Sequence, residues 1–404
     1  MGVSSRFPFH ARYRDGPDCD DDRRQAPRKP VGRRRWGIGG GLIAACLFGA
    51  GIAPAEPYRF ATYNTELARD GPGLLLRDIL AGEDADVGVV AGVVAHVAPD
   101  VLLLQAFDYD LNGHALAAFA ERVGSLGVRY PYRIALAPNS GLATGRDLNR
   151  DGRLGGPRDA QGYGRFRGQG GMAVLSRYPL WVMHDFTDML WADLPGNATQ
   201  ELAGYIETDV QRLSSVGHWV IGVQLPGGAK VALGAFHATP PVFDGPEDRN
   251  GWRNHDEAAL WLRFLDGALA GDGPGMPFVL MGDANLDPAD GDGRAEAMDA
   301  LLSDPRLQDV KPRSVGGIRD AALDGGANTV HRGDPALDTA DWRDDGNGPG
   351  NLRVDYVLPG RAWKVVDAGV FWPAPEDPLF DLLGDESAGV TRHRLVWVDL
   401  VLDR

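Results

Sequence analysis

The sequence predicts one α/β domain behind an N-terminal leader, and three features carry that reading. Strand-length apolar runs outnumber stretches with helical periodicity, no shift of composition marks a second core, and two long Gly- and Asp-rich segments, 139–171 and 312–350, fall between elements as functional loops do on one rim of a scaffold. A chain of 404 residues is easily long enough to bury such a core.

Residues 1–55 stand apart from the domain, 56–404. Arg28 to Arg35 is basic, Trp36 to Ile52 is apolar and Gly-rich, and Ala53-Pro54-Ala55 ends the run with small residues at the spacing a signal peptidase reads. The run is too short and too rich in glycine for a membrane anchor, so an export signal cut after Ala55 is expected, with a periplasmic or extracellular product and no transmembrane segment in the mature chain. Arg33-Arg34-Arg35 loosely matches a twin-arginine signal, and Ile43-Ala44-Ala45-Cys46 resembles a lipoprotein box; the apolar run continues past Cys46, which favours the later cut. Cys19 and Cys46 are the only cysteines, so the mature chain must be stable without disulfides, through its core and bound cations. The leader carries ten of the 41 Lys and Arg and five of the 56 Asp and Glu, leaving 31 against 51, near −20. A surface that acidic does not hold nucleic acid by bulk electrostatics and suits divalent cations better.

Taken in order, 59–64 (RFATYN) reads as a strand, 74–80 as a short helix, and 100–105 (DVLLLQ) as a strand buried on both faces. Residues 115–126 place Leu116, Phe119, Ala120 and Val123 on one helical stripe, and 133–137 and 172–176 are further strands. Residues 219–225 and 230–236 alternate around the turn Pro226-Gly227-Gly228-Ala229, a hairpin signal. Asn254 is a candidate cap for a helix to about 270 with Leu260, Trp261, Phe264, Leu265 and Leu269 on its apolar face. Then come a strand at 278–281, a turn at Gly282, a helix at 295–302, and closing strands at 353–358, 364–372 and 394–402.

Polar groups stand at the strand ends: Asn64, then Asp108 and Asp110, His237, Asp283 and Asn285, Asp355, and His393. Two imidazoles, several carboxylates and two carboxamides delivered to one cleft suit metal-assisted phosphoester hydrolysis, in which a cation polarises the phosphoryl oxygen, a histidine helps activate water and amides hold the other oxygens.

The series FATYN, DVLLLQ, GGMAVLSRYPL, LGAFHATPP, VLMGDANLDP, RVDYVLPG and TRHRLVWVDL resembles the endonuclease/exonuclease/phosphatase superfamily, with its DNase I-like and apurinic-endonuclease-like members, from about Tyr58 to the C-terminus. The resemblance implies a four-layer α/β sandwich of two mixed sheets with helices outside. It implies that Asn64 ends the first strand at a metal, that Asp283 and Asn285 position the nucleophilic water and contact phosphate, and that His237 binds phosphate or acts as an acid. It further implies that His393 is the general base or a transition-state donor, oriented by Asp355, and that the cation is Mg²⁺ or Mn²⁺.

Two departures are visible. The glutamate the family places after the LLLQ strand is Ala106 here, and the aspartate before the last histidine is Arg392. Asp108 lies two residues past Ala106 and Glu66 two past Asn64, so on extended backbone each faces the side of the missing ligand; with Asn64 and Asp283 they make the expected metal set. Arg392 brings a guanidinium fork suited to phosphate, beside Asn285.

In the loop DLNRDGRLGGPRD, Asp147, Asn149 and Asp151 alternate before Gly152, as in the first half of an EF-hand-type loop; Arg158 stands where the bidentate Glu belongs, so Asp159 would have to complete a Ca²⁺ site. Asp287 to Gly293 reads as a rim turn. The expectation is an exported, divalent-dependent phosphoesterase acting on a nucleic acid, lipid head group or small phosphodiester, without a stable protein partner. The alternative is a non-catalytic exported binding protein in which Ala106 has removed the metal.

Overall fold

The computed structural model describes residues 56–269, 273–343, 348–384 and 390–403. The leader, the cut after Ala55, Cys46 and the last residue of the helix expected to reach 270 lie outside the described residues. Among the described residues no helix is long and apolar enough to cross a membrane.

In chain order the elements are β1 (Tyr58–Asn64), α1 (Leu74–Ala81), α2 (Ala85–Val97), β2 (Val101–Phe107), α3 (His114–Ser125), β3 (Tyr132–Ile134), β4 (Gly171–Ser176), β5 (Leu180–Asp185), β6 (Gly217–Gln224) and β7 (Lys230–His237). They continue with α4 (Arg249–Leu265), β8 (Phe278–Asp283), α5 (Glu296–Ser303), α6 (Gly316–Asp324), β9 (Ala340–Asp341), β10 (Asn351–Leu352), β11 (Asp355–Pro359), β12 (Trp363–Val370) and β13 (Val396–Leu402). A six-stranded sheet runs β12-β13-β1-β2-β4-β3, a five-stranded sheet runs β11-β8-β7-β6-β5, and β9 pairs with β10. Each large sheet mixes parallel and antiparallel neighbours, β1 with β2 and β7 with β8 being the parallel pairs.

Alternation along the strands sets the layers. In β7 and β8, Val231, Leu233, Ala235, Val279 and Met281 join the core shared with the first sheet and helices α1 to α3. Ala232, Phe236, Phe278 and Leu280 face the other way, into the core under α4 and α5, where Leu260, Trp261 and Phe264 pack. Helices therefore cover both outer faces of two stacked sheets, as expected. Gly282 belongs to this packing and is not a turn: it is inside β8, and a Cβ there would lie 2.4 Å from the Phe236 carbonyl oxygen, so only glycine allows β7 this close.

Strands β5, β9 and β10 are not expected from the sequence, and three helices differ from its reading. The stretch ADVGVVAGVVAHV is the buried helix α2, capped by Asp84, whose side chain accepts from Val87 N; its valines surround it, so no stripe announces a helix. Helix α4 begins at Arg249, and Asn254, expected to cap it, lies inside and buried, donating to the carbonyls of Thr239 and Ala284. Within the segment 312–350, α6 is a further helix the sequence did not signal.

Candidate active site

Sheet register assembles one side of the site. His237 on β7 pairs across to Asp283 on β8, and Asp283 to Asp355 on β11, so three polar groups stand level at the same edge. From the facing sheet, Asn64 at the end of β1 donates through Nδ2 to Asp283 Oδ2 at 2.8 Å. Asn285 donates its backbone N–H to Asp283 Oδ1 at 2.7 Å, and its Nδ2 to Asp283 Oδ2 and the Ala238 carbonyl. His393, just before β13, joins Nδ1 to Asp355 Oδ2 at 2.9 Å. The expected pocket groups Asn64, His237, Asp283, Asn285, Asp355 and His393 thus meet.

Their charges are set by burial and by one another. Burial pushes the Asp283 carboxyl up to about 7, with Asp355 adding to it. Burial pulls His393 down, but the adjacent Asp355, helped by Asp283 and Glu66, outweighs it and raises the imidazole to about 9. Burial lowers His237 to about 3; its Nε2 lies 3.5 Å from Asp283 Oδ2, and its Nδ1 is buried without a hydrogen-bond partner. At pH 7 His393 is an imidazolium, His237 is neutral, and Asp283 is the group poised to exchange a proton.

Sequence reasoning missed several supports. Thr339 accepts from the backbone N–H groups of Val354 and Asp355 and donates from its hydroxyl to Asp355 Oδ2 at 3.0 Å, fixing the carboxylate that orients His393. Thr391 donates to the Asn64 carbonyl and accepts from His393 N. Trp342 meets the His393 ring edge-on, centroids 5.4 Å apart. Behind His237, buried Glu257 accepts from Ser215 and from Thr239 N. Thr339 and Trp342 sit in a Gly- and Asp-rich stretch with no period to mark them.

The β1–β2 side departs from the expectation. β2 bulges: Leu104 pairs with Ala173 but Phe107 with Gly171, and Ala106 takes a left-handed backbone, φ 50°. The two-residue alternation that placed Asp108 with Ala106 is lost there. Asp108 turns instead to the loops, its two oxygens accepting from Arg69 N and Gly170 N, and burial raises its carboxyl to about 6. Glu66 also has a left-handed backbone, φ 47°, and its carboxylate is held by Arg392 through N at 2.7 Å, Nε at 3.0 Å and Nη2. Burial opposes its ionisation, yet Arg392 keeps its carboxyl below the usual range. Asn64 Oδ1 accepts from Glu66 N. Glu66 and Asp108 therefore do not form the metal corner expected of them. Arg392, more than half exposed, stands at the mouth beside Trp342. Asp110 caps α3 by accepting from His114 N and Ala115 N.

A cation fits elsewhere in the pocket. Asp283, Asp355 and His393 each bring a ligand atom within 4.8 Å of the others, all three are buried, and Asp355 Oδ1 has no hydrogen-bond partner. An unsatisfied buried carboxylate oxygen in an acidic set is what a hard divalent ion completes. The 147–159 loop does not assemble in the same way. Asp147 accepts from Asp151 N and Gly152 N and Asp151 from Arg153 N, while buried Asp159 accepts from Leu148 N and Gly156 N. Asp147, Asp151 and Asp159 are not among the described acidic trios whose ligand atoms converge within 4.8 Å, because Asp159 is turned to cap backbone N–H groups. Asp287 is a rim-turn anchor, accepting from Ala289 N and Arg353 N.

The model of the Endonuclease/Exonuclease/phosphatase family matches residues 61–393. Among solved structures, an endonuclease/exonuclease/phosphatase from Beutenbergia cavernae aligns with TM-score 0.50 at 21% identity, covering 86% of this chain and 72% of that one. A mannosyl-6-phosphatase of Bacteroides thetaiotaomicron aligns at 0.46 and 15% identity over 85% of this chain and 100% of that one. Sphingomyelinase C from Streptomyces griseocarneus aligns at 0.42 and 17% identity over 85% and 99%. No curated protein matches the sequence.

Proposed function

We propose, from the premise that the chain belongs to the endonuclease/exonuclease/phosphatase family, that it hydrolyses a phosphate ester by in-line attack of water in this pocket. Members of that family are generally phosphoester hydrolases with divalent-metal dependence. The observation that carries the reading is the convergence of Asn64, His237, Asp283, Asn285, Asp355 and His393 from strands far apart in sequence.

Each group has a distinct task in this reading. Asp283, held by Asn64 and Asn285 and poised near neutrality, orients the attacking water and takes its proton. His393, charged and fixed by Asp355, donates to a phosphoryl oxygen as negative charge builds there. Neutral His237 donates one N–H and adds no charge. Arg392, braced by Glu66, meets the substrate anion at the mouth. Asp283 and Asp355, the latter through its unpartnered Oδ1, would hold a Mg²⁺ or Mn²⁺ ion beside the protonated His393, and the ion when bound would polarise the phosphoryl oxygen and acidify water. The substrate is a phosphate ester, and the acidic surface favours a small ester or head group over a long nucleic acid.

The test is release of p-nitrophenolate from bis-p-nitrophenyl phosphate and p-nitrophenyl phosphate by the purified protein with Mg²⁺, Mn²⁺ or chelator. One observation favours a second reading: with Ala106 in place of glutamate, the carboxylates of the β1–β2 side are engaged elsewhere, Asp108 by the N–H groups of Arg69 and Gly170 and Glu66 by Arg392, as in a non-catalytic binding protein. Binding of the esters without turnover under any ion selects that alternative. The basic-apolar leader supports export, which fractionation of expressing cells checks.

A further inference from the structure

The β1 corner of the pocket is closed by the chain itself, where Glu66 meets Arg392 from the far end of the sequence. Glu66 Oε2 accepts from Arg392 N at 2.7 Å, and its Oε1 accepts from Arg392 Nε at 3.0 Å and from Nη2. Both carboxylate oxygens are therefore taken, in the forked, charge-assisted pairing that suits a guanidinium. The pair is braced from below. Glu66 N donates to Asn64 Oδ1 at 3.2 Å, Asn64 Nδ2 donates to Asp283 Oδ2 at 2.8 Å, and Thr391 Oγ1 donates to the Asn64 carbonyl at 2.9 Å. One run of polar contacts thus leads from the exposed guanidinium to the buried acid at the centre.

Glu66 is thereby a poor ligand for a metal ion. Its side chain is 24% exposed, so the carboxylate is partly shielded from water, and an ion reaching it must first expel a cation held by several hydrogen bonds. Burial opposes the charge of both Glu66 and His393, yet each favours the other's charged form, so Glu66 stands within the field of the pocket and not outside it. The charges pair off, Arg392 with Glu66 and His393 with Asp355 Oδ2. What this leaves for a hard divalent ion is Asp283 and the unpartnered Oδ1 of Asp355.

We propose that Arg392 is a built-in cation that occupies the Glu66 carboxylate, keeps a divalent ion out of the β1 corner and so limits the pocket to one ion, at Asp283 and Asp355. The closed corner follows from the geometry of Glu66 and Arg392 alone; that the remaining place takes an ion rests on the hydrolase reading.

The experiment counts bound Mn²⁺, by calorimetric titration of the chelator-stripped protein at pH 7 and by the electron paramagnetic resonance signal of the free ion. The Arg392 side chain is 55% exposed, so Arg392→Ala leaves the core untouched, and Arg392→Met, which keeps the stem, is the second variant. Each is expected to bind one Mn²⁺ more per chain than wild type, because Glu66 then has both oxygens free beside the Asn64 carboxamide. Glu66→Gln combined with Arg392→Ala is expected to return to the wild-type count. Arginine variants that gain no ion, even if they hold an existing one more tightly, or a double variant that keeps the extra ion, overturn the proposal. Neither readout involves turnover, so a wild type that hydrolyses nothing while its arginine variants gain the Glu66 ion refutes only the hydrolase reading.

Discussion

The two sides of the pocket are built differently. On the β7–β8–β11 side, strand pairing places His237, Asp283 and Asp355 level, and every group is braced by backbone register. On the β1–β2 side the backbone is irregular: Glu66, just past the end of β1, and Ala106, at the bulge near the end of β2, both sit in the left-handed region. Asn285 also has a positive φ, 50°, but asparagine tolerates that conformation, whereas alanine and glutamate do so at a cost. The sheet-built side keeps the acid–base groups that the family resemblance leads one to expect. The loop-built side carries an arginine–glutamate pair where the resemblance leads one to expect a metal carboxylate. The groups anchored by sheet register match the pattern of the resemblance; the position at the β2 bulge, Ala106, does not.

The largest effect expected is on the sheet-built side. Asp283→Asn removes the proton acceptor while keeping the shape, and turnover of bis-p-nitrophenyl phosphate should fall by about 10²–10⁴. Turnover within a factor of a few of wild type would mean that the two sides have been assigned the wrong way round. On the loop-built side, Arg392→Ala is expected to raise KM roughly tenfold with a smaller change in kcat, as loss of one charge-assisted contact to the substrate anion does. A drop in kcat with unchanged KM would move Arg392 from anchoring to transition-state stabilisation.

The resemblance made the sheet-built side legible because it follows from chain order: a polar residue bounding an apolar run, before or after it, falls at a sheet edge, and six such positions recur in the expected order. What failed was local extrapolation. Counting two residues on from Ala106 assumed extended backbone, and the bulge between Leu104 and Phe107 broke that count. Asn254 looked like a cap because asparagine is a good one, but its side chain is used inside α4 to tie two loops together. Helix α2 was invisible because its apolar residues form no stripe, burial on several sides having erased the signal. Thr339 orients Asp355 from 16 positions earlier in the chain, a contact that no local pattern encodes.

A smaller effect probes the polar layer behind His237. His218 is buried, bonded to Ser214 Oγ and the Glu257 carbonyl, and burial lowers it to about 3. Its folded value lies below its unfolded one, so its neutral form stabilises the fold fully above about 6.5, and that contribution is lost as pH falls toward 3. In urea melts, the stability advantage of wild type over His218→Gln should shrink between pH 7 and 4 by a few kcal/mol at most. A constant difference would remove His218 from the account. The smallest effect expected is Ala106→Gly: relieving the left-handed alanine should raise stability by about 0.5–1 kcal/mol, and a loss of stability would show that the methyl group packs usefully.

The most direct measurement compares wild type with His393→Ala at pH 7, reading p-nitrophenolate from bis-p-nitrophenyl phosphate while circular dichroism verifies the fold. The pocket as described predicts measurable turnover in the first and a loss of at least about a hundredfold in the second. Equal turnover in the two proteins would place the chemistry somewhere other than beside Asp283 and Asp355.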